Sequence, residues 1–350
     1  MIFMDKFQLL TRNTEEIVTP NELKTVLKKP KLRGYIGFEP SGTVHLGWKI
    51  CTNKIKDFLS CGFDFTVLLA DWHAYINDKL GGDIDKIKLC GKYMENCFAA
   101  MGIDTGKLSY VYASDYVSDP SYWELVLRVS KATSVARVKR AMDIMGRSKD
   151  EAEKDLSKLF YPAMQVSDIF YLKLDVAYGG MDQRHAHMLA RDVSKKLDRK
   201  PPVALHTPLL TGLQAGGRMD PTEIKMSKSK PDSMISIHDD PDTVSKKLKK
   251  AFCPEKQTKE NPILEICKYI IFPEIGNTNF IIKRSEKFGG TLEFKSYNEL
   301  EQAYAKGLHP LDLKNTTADY INRILEPVSK YFEKNPGNYN KMKKLGIISH

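Results

Sequence analysis

The sequence predicts an α/β fold in which a doubly wound parallel sheet carries a helical insertion and is followed by an all-helical C-terminal domain. Three observations support this prediction. Short apolar runs alternate with segments of helical periodicity over the first two thirds of the chain, as is typical of parallel strands joined by right-handed helical crossovers. A helical stretch near residues 115–165 interrupts the alternation. After about residue 236, strand signals become few.

The strands of the predicted sheet are short apolar runs that end at glycines or polar turns. Such runs, bounded by turn residues, are typical of buried strands. The predicted strands cover residues 33–38, 65–70, 108–112, 175–178 and 203–210. Because helical segments separate them, we expect these strands to be parallel.

Helices are predicted where apolar side chains recur at every third or fourth position. In the first 236 residues, the predicted helices run from about His45 to Gly62, from Ile87 to Gly102, through 121–171 with Pro162 as a kink or boundary, and over 182–197. Later helices cover 241–252, 261–272, 296–306 and 309–333. Asp239-Asp-Pro241 fits the start of the first of these, with the proline in its first turn. We therefore expect an α/β domain over residues 1–236 and a helical domain over 237–350, with a partly loose tail from Asn335.

The composition is ordinary for a globular chain. Of 350 residues, 42% are hydrophobic and 28% are charged, a mixture that can form a full core. The longest apolar runs, such as 67–70 and 269–272, are far too short to cross a bilayer. The N-terminus has no basic segment followed by a long apolar stretch, and Glu15 and Glu16 argue against a transit peptide. We expect a chain that starts near Met1 and stays in the cytoplasm, without a membrane partner.

The formal net charge of +10 permits a polyanionic partner such as RNA. Many enzymes are basic, however, so a local cluster is more informative than the total. Basic residues crowd the segment 128–149, where Asp143 is the single acid: Arg128, Lys131, Arg137, Lys139, Arg140, Arg147 and Lys149. Taken alone, a solvated basic helix face explains this cluster equally well.

The six cysteines are expected to be buried, reduced thiols. They are Cys51, Cys61, Cys90, Cys97, Cys253 and Cys267. No two of them have C-x-x-C spacing, and several fall in apolar, helix-like segments. A zinc site or a disulfide framework is therefore disfavoured, and we predict no metal ligands in the chain.

A glycine-containing turn joins the first predicted strand to the helix that follows it. Its sequence is Gly37-Phe-Glu-Pro-Ser-Gly-Thr-Val-His-Leu-Gly-Trp48. At such a junction, backbone N–H groups and the positive end of a helix can approach a phosphate closely, and glycine leaves room for the ligand. His45 can donate a hydrogen bond to a phosphate oxygen. Taken alone, a plain structural turn explains the segment equally well.

A second motif, Lys225-Met-Ser-Lys-Ser-Lys-Pro231, lies about 180 residues after His45 on a predicted loop that covers residues 222–232. The ammonium groups of Lys225 and Lys228 could close over a triphosphate and neutralise charge on the leaving pyrophosphate. Taken alone, a solvated basic loop is the simpler interpretation.

In this order and at this distance, the two motifs resemble the HIGH and KMSKS motifs of class I aminoacyl-tRNA synthetases. The resemblance implies a Rossmann-like catalytic domain that binds ATP between the motifs, with Mg²⁺ on the phosphates. The amino-acid carboxylate would attack the α-phosphate in line, giving an aminoacyl-adenylate and pyrophosphate. Because that carboxylate is ionised at neutral pH, catalysis would consist mostly of positioning and electrostatic stabilisation. Trp48 departs from the pattern, because histidine is expected at that position and one phosphate contact is therefore absent.

A polar helical face in the middle of the chain suggests which amino acid is bound. Tyr161, Gln165 and Asp168 stand at i, i+4 and i+7, which places them on one face of a helix. Their flanks are apolar, so a pocket lining explains the pattern better than a solvated face. The segment Gly179-Gly-Met-Asp-Gln-Arg184 then follows a predicted strand and opens the next helix.

These segments, together with Tyr35–Gly42 and Leu68–Asn77, resemble the tyrosyl-tRNA synthetases of archaeal and eukaryotic type. The resemblance extends over about residues 10–333 and implies a set of functional residues. For tyrosine it implies Tyr35 and Asp168 at the phenol hydroxyl, Tyr161, Gln165 and Gln183 at the ammonium group, and Leu68 and His73 beside the ring. For ATP it implies Gly37, Glu39, Gly42, His45, Gly47, Gly180, Asp182, Lys225, Met226, Ser227, Lys228 and Ser229. The catalytic residues among them would be His45, Gly47, Lys225 and Lys228.

The implied pair of Tyr35 and Asp168 offers a physical reason for selectivity. A buried carboxylate and phenol that face the hydroxyl of tyrosine would be left unpaired by phenylalanine, which is costly. We therefore expect no editing domain.

Two segments of the second domain, Phe288-Gly-Gly290 and Leu308–Lys314, resemble the anticodon-binding region of the same family. The resemblance implies that Phe288 stacks on an anticodon base and that His309 and Asp312 contact it. Such stacking with polar readout is common in the recognition of single-stranded RNA. For His309, an ordinary helix start is the alternative.

The resemblance also implies a homodimer. It assigns the basic segment 128–149 to the acceptor stem of tRNA and to the helices of the dimer. The expected partners are thus tRNA(Tyr), tyrosine, ATP and a second copy of the chain, and DNA is not among them.

Three other functions compete with this one. A tryptophanyl-tRNA synthetase shares the fold and the motifs, but an indole has no hydroxyl to meet Tyr35 and Asp168. A synthetase-derived RNA-binding protein without catalysis is supported by Trp48 alone and opposed by the intact Lys225 and Lys228. An unrelated nucleotidyltransferase of similar build would be expected to keep only the first motif.

Overall fold

The computed structural model describes residues 4–142, 155–214 and 233–348. By their contacts, residues group into two compact units. The first is built from Met1–Gly42, Lys54–Ala99 and Ile103–Pro208, and the second from Thr43–Asn53, Ala100–Gly102 and Leu209–His350. The second half of the first motif, residues 43–48, thus groups with the C-terminal part of the chain. The functional boundary at residue 236 stays a prediction.

The first unit contains a six-stranded sheet. Its strands are β1 (Glu16–Val18), β2 (Leu32–Phe38), β3 (Phe63–Leu69), β4 (Leu108–Tyr112), β5 (Val176–Gly180) and β6 (Val203–Thr207). Their order across the sheet is β1-β6-β5-β2-β3-β4, and every pair of neighbours is parallel except β1 with β6. The predicted doubly wound sheet is therefore confirmed. The antiparallel edge strand β1 was not predicted, because its three residues are too short to show a pattern.

Helices alternate with these strands. They are α1 (Lys6–Thr11), α2 (Pro20–Val26), α3 (Trp48–Ser60), α4 (Asp71–Ile76), α5 (Ile84–Ala100), α6 (Pro120–Ala132), α7 (Val135–Ala141), α8 (Ser157–Tyr171) and α9 (Arg184–Ser194). The predicted helical insertion is confirmed by α6, α7 and α8. Pro162 lies inside α8 and is not a boundary. The chain turns helical at Trp48 and not at His45, because His45 forms an antiparallel bridge with Ser236.

Helix α8 is buried along most of its length. One apolar cluster joins it to β2, β3, β5, α6 and α9, and includes Tyr35, Leu68, Tyr116, Tyr122 and Met164. The polar residues of α8 are therefore held inside the core of the first unit, where each needs a partner.

The second unit is mostly helical, as predicted. Its helices are α10 (Pro241–Lys250), α11 (Pro262–Ile266), α12 (Phe272–Ile275), α13 (Tyr297–Lys306), α14 (Pro310–Lys334) and α15 (Gly337–Lys344), with a π-helical stretch, Cys267–Ile271, between α11 and α12. Asp240 caps α10 and Pro241 follows it, as predicted. An antiparallel pair, β7 (Phe280–Ile282) and β8 (Leu292–Phe294), is an addition to the predicted all-helical domain. Strands of three residues show too little alternation to be recognised in the sequence.

In the tail from Asn335, the described residues 335–348 contain α15, so the expectation of a partly loose tail is wrong for that stretch. The ring of Tyr339, on α15, stacks on that of His238 with centroids 4.3 Å apart. Met342 on the same helix is fully buried. Apolar contacts thus hold a helix whose sequence is dominated by lysine and asparagine.

All six cysteines are free thiols. Five are buried as predicted, whereas Cys51 is half-buried. Among the helices of the described ranges, none combines the length and the apolar character needed to cross a bilayer.

Candidate active site

The predicted tyrosine-site residues lie where the sheet changes its winding direction. From β2 the chain winds through β3 and β4 to one edge, and through β5 and β6 towards the other. In open α/β sheets, ligands bind beyond the carboxyl ends of the strands at such a reversal. Tyr35 lies on β2 and Gly180 ends β5. Asp182 and Gln183 follow in the 3₁₀ turn Met181–Gln183.

Asp168 is the central polar residue of this pocket, and its side chain is 1% exposed. One oxygen, Oδ1, accepts hydrogen bonds from the hydroxyls of Tyr116 at 2.7 Å and Tyr122 at 2.9 Å. The other oxygen, Oδ2, lies 3.1 Å from His73 Nε2. Among the described residues, no hydrogen bond to Oδ2 is formed, and His73 is its ion-pair partner. A buried oxygen without a donor is costly, so this atom fits a ligand that supplies the donor.

Tyr35 and Leu68 form the apolar side of the same pocket. Both are almost completely buried, at 1% and 2% exposure, and both belong to the cluster around α8. Burial and the nearby Asp168 carboxylate raise the pKa of the Tyr35 hydroxyl far above its ordinary value. Tyr35 therefore remains a neutral phenol, which can both donate and accept a hydrogen bond.

His73, on α4, is buried beside three carboxylates. Burial by itself disfavours the charged ring, but the negative charges of Asp168, Glu39 and Asp71 outweigh it and raise the pKa of His73 above its ordinary value. Its ring meets that of Tyr161 edge to face, with centroids 5.1 Å apart. His73 thus carries positive charge more readily than an exposed histidine does.

Two of the residues predicted to bind the ammonium group, Gln165 and Gln183, contact each other. Gln165 Nε2 donates a hydrogen bond to Gln183 Oε1 at 3.0 Å. Gln165 Oε1 is buried and has no hydrogen-bond partner among the described residues. Gly179 makes this approach possible, because a Cβ atom there would stand 2.9 Å from the Gln183 side chain. The predicted third member, Tyr161, is buried, and its pKa is raised by that burial and by a hydrogen bond to Glu39.

The end of β2 and the turn after it contain three residues predicted to serve ATP, Gly37, Glu39 and Gly42. Asn77 Nδ2 lies 3.0 and 3.1 Å from the two Glu39 oxygens and donates to them, while Lys79 Nζ lies 3.4 Å from Oε2. These contacts fix the carboxylate at the end of β2. Gly42 adopts a φ of +116°, which favours glycine. Gly37 is exposed, so its backbone is accessible to a ligand.

The side chain of His45 packs closely against the backbone of Gly47, and both residues belong to the second unit. The Gly47 N–H donates a hydrogen bond to His45 Nδ1 at 3.1 Å. The proton of the neutral ring therefore resides on Nε2, which can act as a donor. A Cβ atom at Gly47 would stand 2.8 Å from His45 Cε1, a distance that does not occur without displacement. Trp48, the departure from the family pattern, is 8% exposed and packs in the interior.

The chain that follows the second motif is paired with the first motif. Leu46 N–H donates to Ile235 O at 2.8 Å, and Ile237 N–H donates to Val44 O at 3.2 Å. Backbone hydrogen bonds thus join two segments that are far apart in sequence. The predicted ATP residues Lys225–Ser229 lie outside the described residues.

The predicted anticodon residue His309 is the N-cap of α14. Its Nδ1 accepts a hydrogen bond from Leu311 N–H at 3.2 Å, and Pro310 occupies the first helical position. The alternative of a helix start therefore describes the local geometry of His309, and a role in RNA binding stays a prediction.

An arginine that the sequence analysis missed, Arg284, contacts both Asp312 and the glycine turn that follows Phe288. Arg284 Nε donates to Gly290 O at 3.1 Å, and a terminal nitrogen of Arg284 lies 3.9 Å from Asp312 Oδ2. Phe288 precedes the two glycines and is 65% exposed. A large aromatic ring with that exposure on a glycine turn is available for stacking.

Two further residues of the tyrosine site were also missed. Tyr116 and Tyr122 lie in the segment that the sequence analysis treats as an insertion, yet both contact Asp168. Their spacing from Asp168, 52 and 46 residues, leaves no local signal. A general signal existed, since a carboxylate on an apolar helix must find donors, and tyrosines of neighbouring helices can supply them.

Comparison with known proteins agrees with this geometry. The family model described as tRNA synthetases class I (W and Y) matches residues 27–326. A tyrosine–tRNA ligase of Sulfolobus acidocaldarius is 55% identical over 93% of each chain. One from Sulfurisphaera tokodaii is 54% identical over 94% of this chain and 93% of its own.

Solved structures give the same result. The tyrosyl-tRNA synthetase of Pyrococcus horikoshii, complexed with L-tyrosine, superimposes with a TM-score of 0.90 at 40% identity, covering 97% of this chain and 100% of its own. That of Aeropyrum pernix gives 0.87 at 45% identity, covering 97% and 98%. A tryptophanyl-tRNA synthetase of Aeropyrum pernix, at 18% identity and a TM-score of 0.70 over 92% and 84%, shares the fold alone. The chain therefore belongs to the tyrosine–tRNA ligases, within the class I tRNA synthetases for tryptophan and tyrosine.

Proposed function

We propose that this protein joins L-tyrosine to ATP to form tyrosyl-adenylate and pyrophosphate, and then transfers the tyrosyl group to tRNA(Tyr) with release of AMP. The observation that carries the proposal is the buried Asp168 oxygen, which has no donor among the described residues and lies in an apolar pocket with Tyr35. The substrate carboxylate is ionised at neutral pH, so the protein need not supply a base. Its contribution is to position the reactants and to stabilise charge.

At the ring end of tyrosine, the phenol hydroxyl donates to Asp168 Oδ2 and accepts from the hydroxyl of Tyr35. The support is that one carboxylate oxygen is already occupied and the other is not. Leu68 and His73 flank the substrate ring. Because tryptophan and phenylalanine bring no hydroxyl, each would leave Oδ2 without a donor.

At the other end, Gln165, Gln183 and Tyr161 bind the ammonium group. An ammonium needs acceptors, and Gln165 Oε1 is a buried acceptor that no described residue uses. The mutual hydrogen bond of the two glutamines fixes their orientation. The substrate is then held at its phenol hydroxyl and at its ammonium group, and these two contacts together fix the position of its carboxylate.

ATP is bound by backbone groups of Gly37, Gly42, Gly47 and Gly180, by the side chains of Glu39, His45 and Asp182, and by Lys225, Met226, Ser227, Lys228 and Ser229. The Nδ1 hydrogen bond of His45 supports its role, because it places the proton of the neutral ring on Nε2, which can donate to a phosphate oxygen. Lys225 and Lys228 neutralise the leaving pyrophosphate.

Magnesium accompanies ATP. Within the described residues, no three of histidine, cysteine, aspartate and glutamate lie close enough together to hold a metal ion. As is usual for this ion, Mg²⁺ would be bound mainly by the phosphates and would neutralise part of their charge.

The anticodon of tRNA is read by Phe288, Asp312 and His309. This assignment is supported by the exposure of the aromatic ring and by the contact of Asp312 with Arg284.

The protein acts in the cytoplasm as a homodimer. Exposed apolar side chains on α6 and α7 support the dimer, since Leu127 and Val135 are 62% and 65% exposed. The basic residues between 128 and 149 serve the acceptor stem.

The decisive experiment is ATP–pyrophosphate exchange without tRNA, with tyrosine, phenylalanine and tryptophan as separate substrates. We expect exchange with tyrosine and almost none with the other two. Exchange driven by tryptophan would contradict the roles of Tyr35 and Asp168. A folded protein without any exchange would instead point to Trp48 and to a non-catalytic RNA-binding role.

A further inference from the structure

Two buried tyrosines meet the same oxygen of Asp168. Tyr116 follows the 3₁₀ turn Ala113–Asp115, and Tyr122 lies on α6. Their rings contact each other edge to face, with centroids 4.9 Å apart. Both hydroxyls point to Oδ1 and neither to Oδ2. Three elements of the first unit thus converge on one atom of the substrate pocket.

Both tyrosines act as hydrogen-bond donors to Asp168, and the carboxylate acts only as an acceptor. Each phenol donates one proton, and a carboxylate oxygen accepts about two hydrogen bonds. Burial and the charge of Asp168 raise the pKa of both Tyr116 and Tyr122 well above the ordinary value, so both stay neutral donors. Oδ1 is therefore saturated, and rotation of the carboxylate would break both hydrogen bonds. The orientation of Oδ2 is fixed by groups that themselves need not touch the substrate.

We propose that Tyr116 and Tyr122 are positioning residues that set the selectivity for tyrosine over phenylalanine by holding Asp168 so that only Oδ2 faces the substrate. The inference rests on the proposed function and deepens it. A carboxylate that is free to turn could bring Oδ2 to a hydrogen-bond donor of the protein when phenylalanine is bound. A carboxylate that is held cannot turn, and bound phenylalanine then leaves the buried Oδ2 without a hydrogen-bond donor.

The chain contains a matched control for this idea. The ring of Tyr171 lies in the same aromatic cluster, with centroids 5.0 Å from Tyr116 and 5.6 Å from Tyr122. Its hydroxyl, however, donates to Asp119 Oδ2 at 2.7 Å and not to Asp168. Replacement of Tyr171 by phenylalanine removes a hydroxyl from the same neighbourhood and leaves both Asp168 bonds intact.

The experiment compares Tyr116→Phe, Tyr122→Phe and Tyr171→Phe with the unaltered protein in ATP–pyrophosphate exchange, with tyrosine and with phenylalanine as substrates. We expect each of the first two variants to lower kcat/KM for tyrosine about tenfold or more through a raised KM, since a hydrogen bond to a charged group is lost. The value for phenylalanine should fall less or rise, so the ratio of the two falls. The KM for ATP should stay unchanged, and Tyr171→Phe should retain the original ratio.

An unchanged ratio in both Tyr116→Phe and Tyr122→Phe would contradict the inference, and so would an equal loss in all three variants, which would reveal a general packing effect. Because two separate variants test one oxygen, a folding defect in either leaves the other as the test. Absence of tyrosine-dependent exchange in the unaltered protein would contradict the proposed function itself, and the two failures are thereby distinguished.

Discussion

His73 and Asp168 form a buried pair in which Nε2 lies 3.1 Å from Oδ2. This carboxylate oxygen is also the one that we assign to the hydroxyl of the substrate. The pair explains why a histidine stands beside an apolar ring pocket, since its positive charge stabilises a carboxylate that would otherwise be isolated. It also makes the pocket sensitive to pH in a direction that can be derived.

The first prediction concerns this pH dependence. The pKa of His73 is raised in the folded state by Asp168, Glu39 and Asp71 against the effect of burial. Protonated His73 therefore stabilises the fold fully below its ordinary pKa of about 6.5, and the contribution is lost as the pH rises through the raised value. We expect the difference in Tm between the unaltered protein and His73→Gln to be largest in mild acid and to shrink towards alkaline pH. A difference that is constant or grows with pH would contradict the assignment.

The second prediction concerns Asp168→Asn, which keeps the size of the side chain and removes its charge. We expect kcat/KM for tyrosine to fall about a hundredfold, because the substrate hydroxyl loses a charged acceptor. The KM for ATP should change little. Asp119→Asn is the control, since Asp119 binds the hydroxyl of Tyr171 outside the pocket. Tyrosine kinetics that remain normal in Asp168→Asn would show that the phenol assignment is wrong.

The third prediction concerns Gly47→Ala. The new Cβ atom would stand 2.8 Å from His45 Cε1, so the ring must shift, and its hydrogen bond to the Gly47 backbone is disturbed. We expect adenylate formation to slow about tenfold to a hundredfold, as small displacements of a positioned group do, with unchanged affinity for tyrosine. Single-turnover kinetics measure this rate. Gly337→Ala is the control, because a Cβ atom there meets nothing within 4 Å. A normal rate in Gly47→Ala would exclude His45 from catalysis.

The fourth prediction concerns recognition of tRNA. Asp312→Ala should weaken aminoacylation of tRNA about tenfold, a typical loss for one base contact, while ATP–pyrophosphate exchange stays intact. Asp319→Ala is the control, because Asp319 is an exposed residue of the same helix. An equal loss in exchange would show that Asp312 supports the fold through Arg284 and does not read the anticodon.

Helix α8 shows how far sequence reasoning reaches. The spacing of Tyr161, Gln165 and Asp168 correctly predicts a helix, and the apolar flanks correctly predict its burial. The partners of these residues do not follow from spacing. Tyr161 contacts Glu39 and His73, whereas Gln165 donates to Gln183 in the 3₁₀ turn after β5, because successive turns of the helix face different neighbours.

The bounds of strands and helices were also predicted correctly where the signal is local and missed where it depends on distant segments. Strand β4 matches its predicted range of 108–112, because an apolar run with clear turns at both ends is a local signal. Strands β1, β7 and β8 escaped prediction, because each has three residues and is defined by pairing with a distant segment. Likewise, the pairing of His45 with Ser236 delays the start of α3 to Trp48.

By itself, the sequence determined the α/β fold and the order of the motifs, because periodicity and motif spacing are properties of the linear chain. The residues of a tyrosine and ATP site were implied by the resemblance of those motifs to a known family. Only the tertiary structure decided that Tyr116 and Tyr122 saturate one oxygen of Asp168 while the other lacks a donor among the described residues. Likewise, it alone decided that Gly47 fixes the ring of His45. Such contacts depend on the distances and angles at which folded elements meet, and these have no counterpart in local sequence.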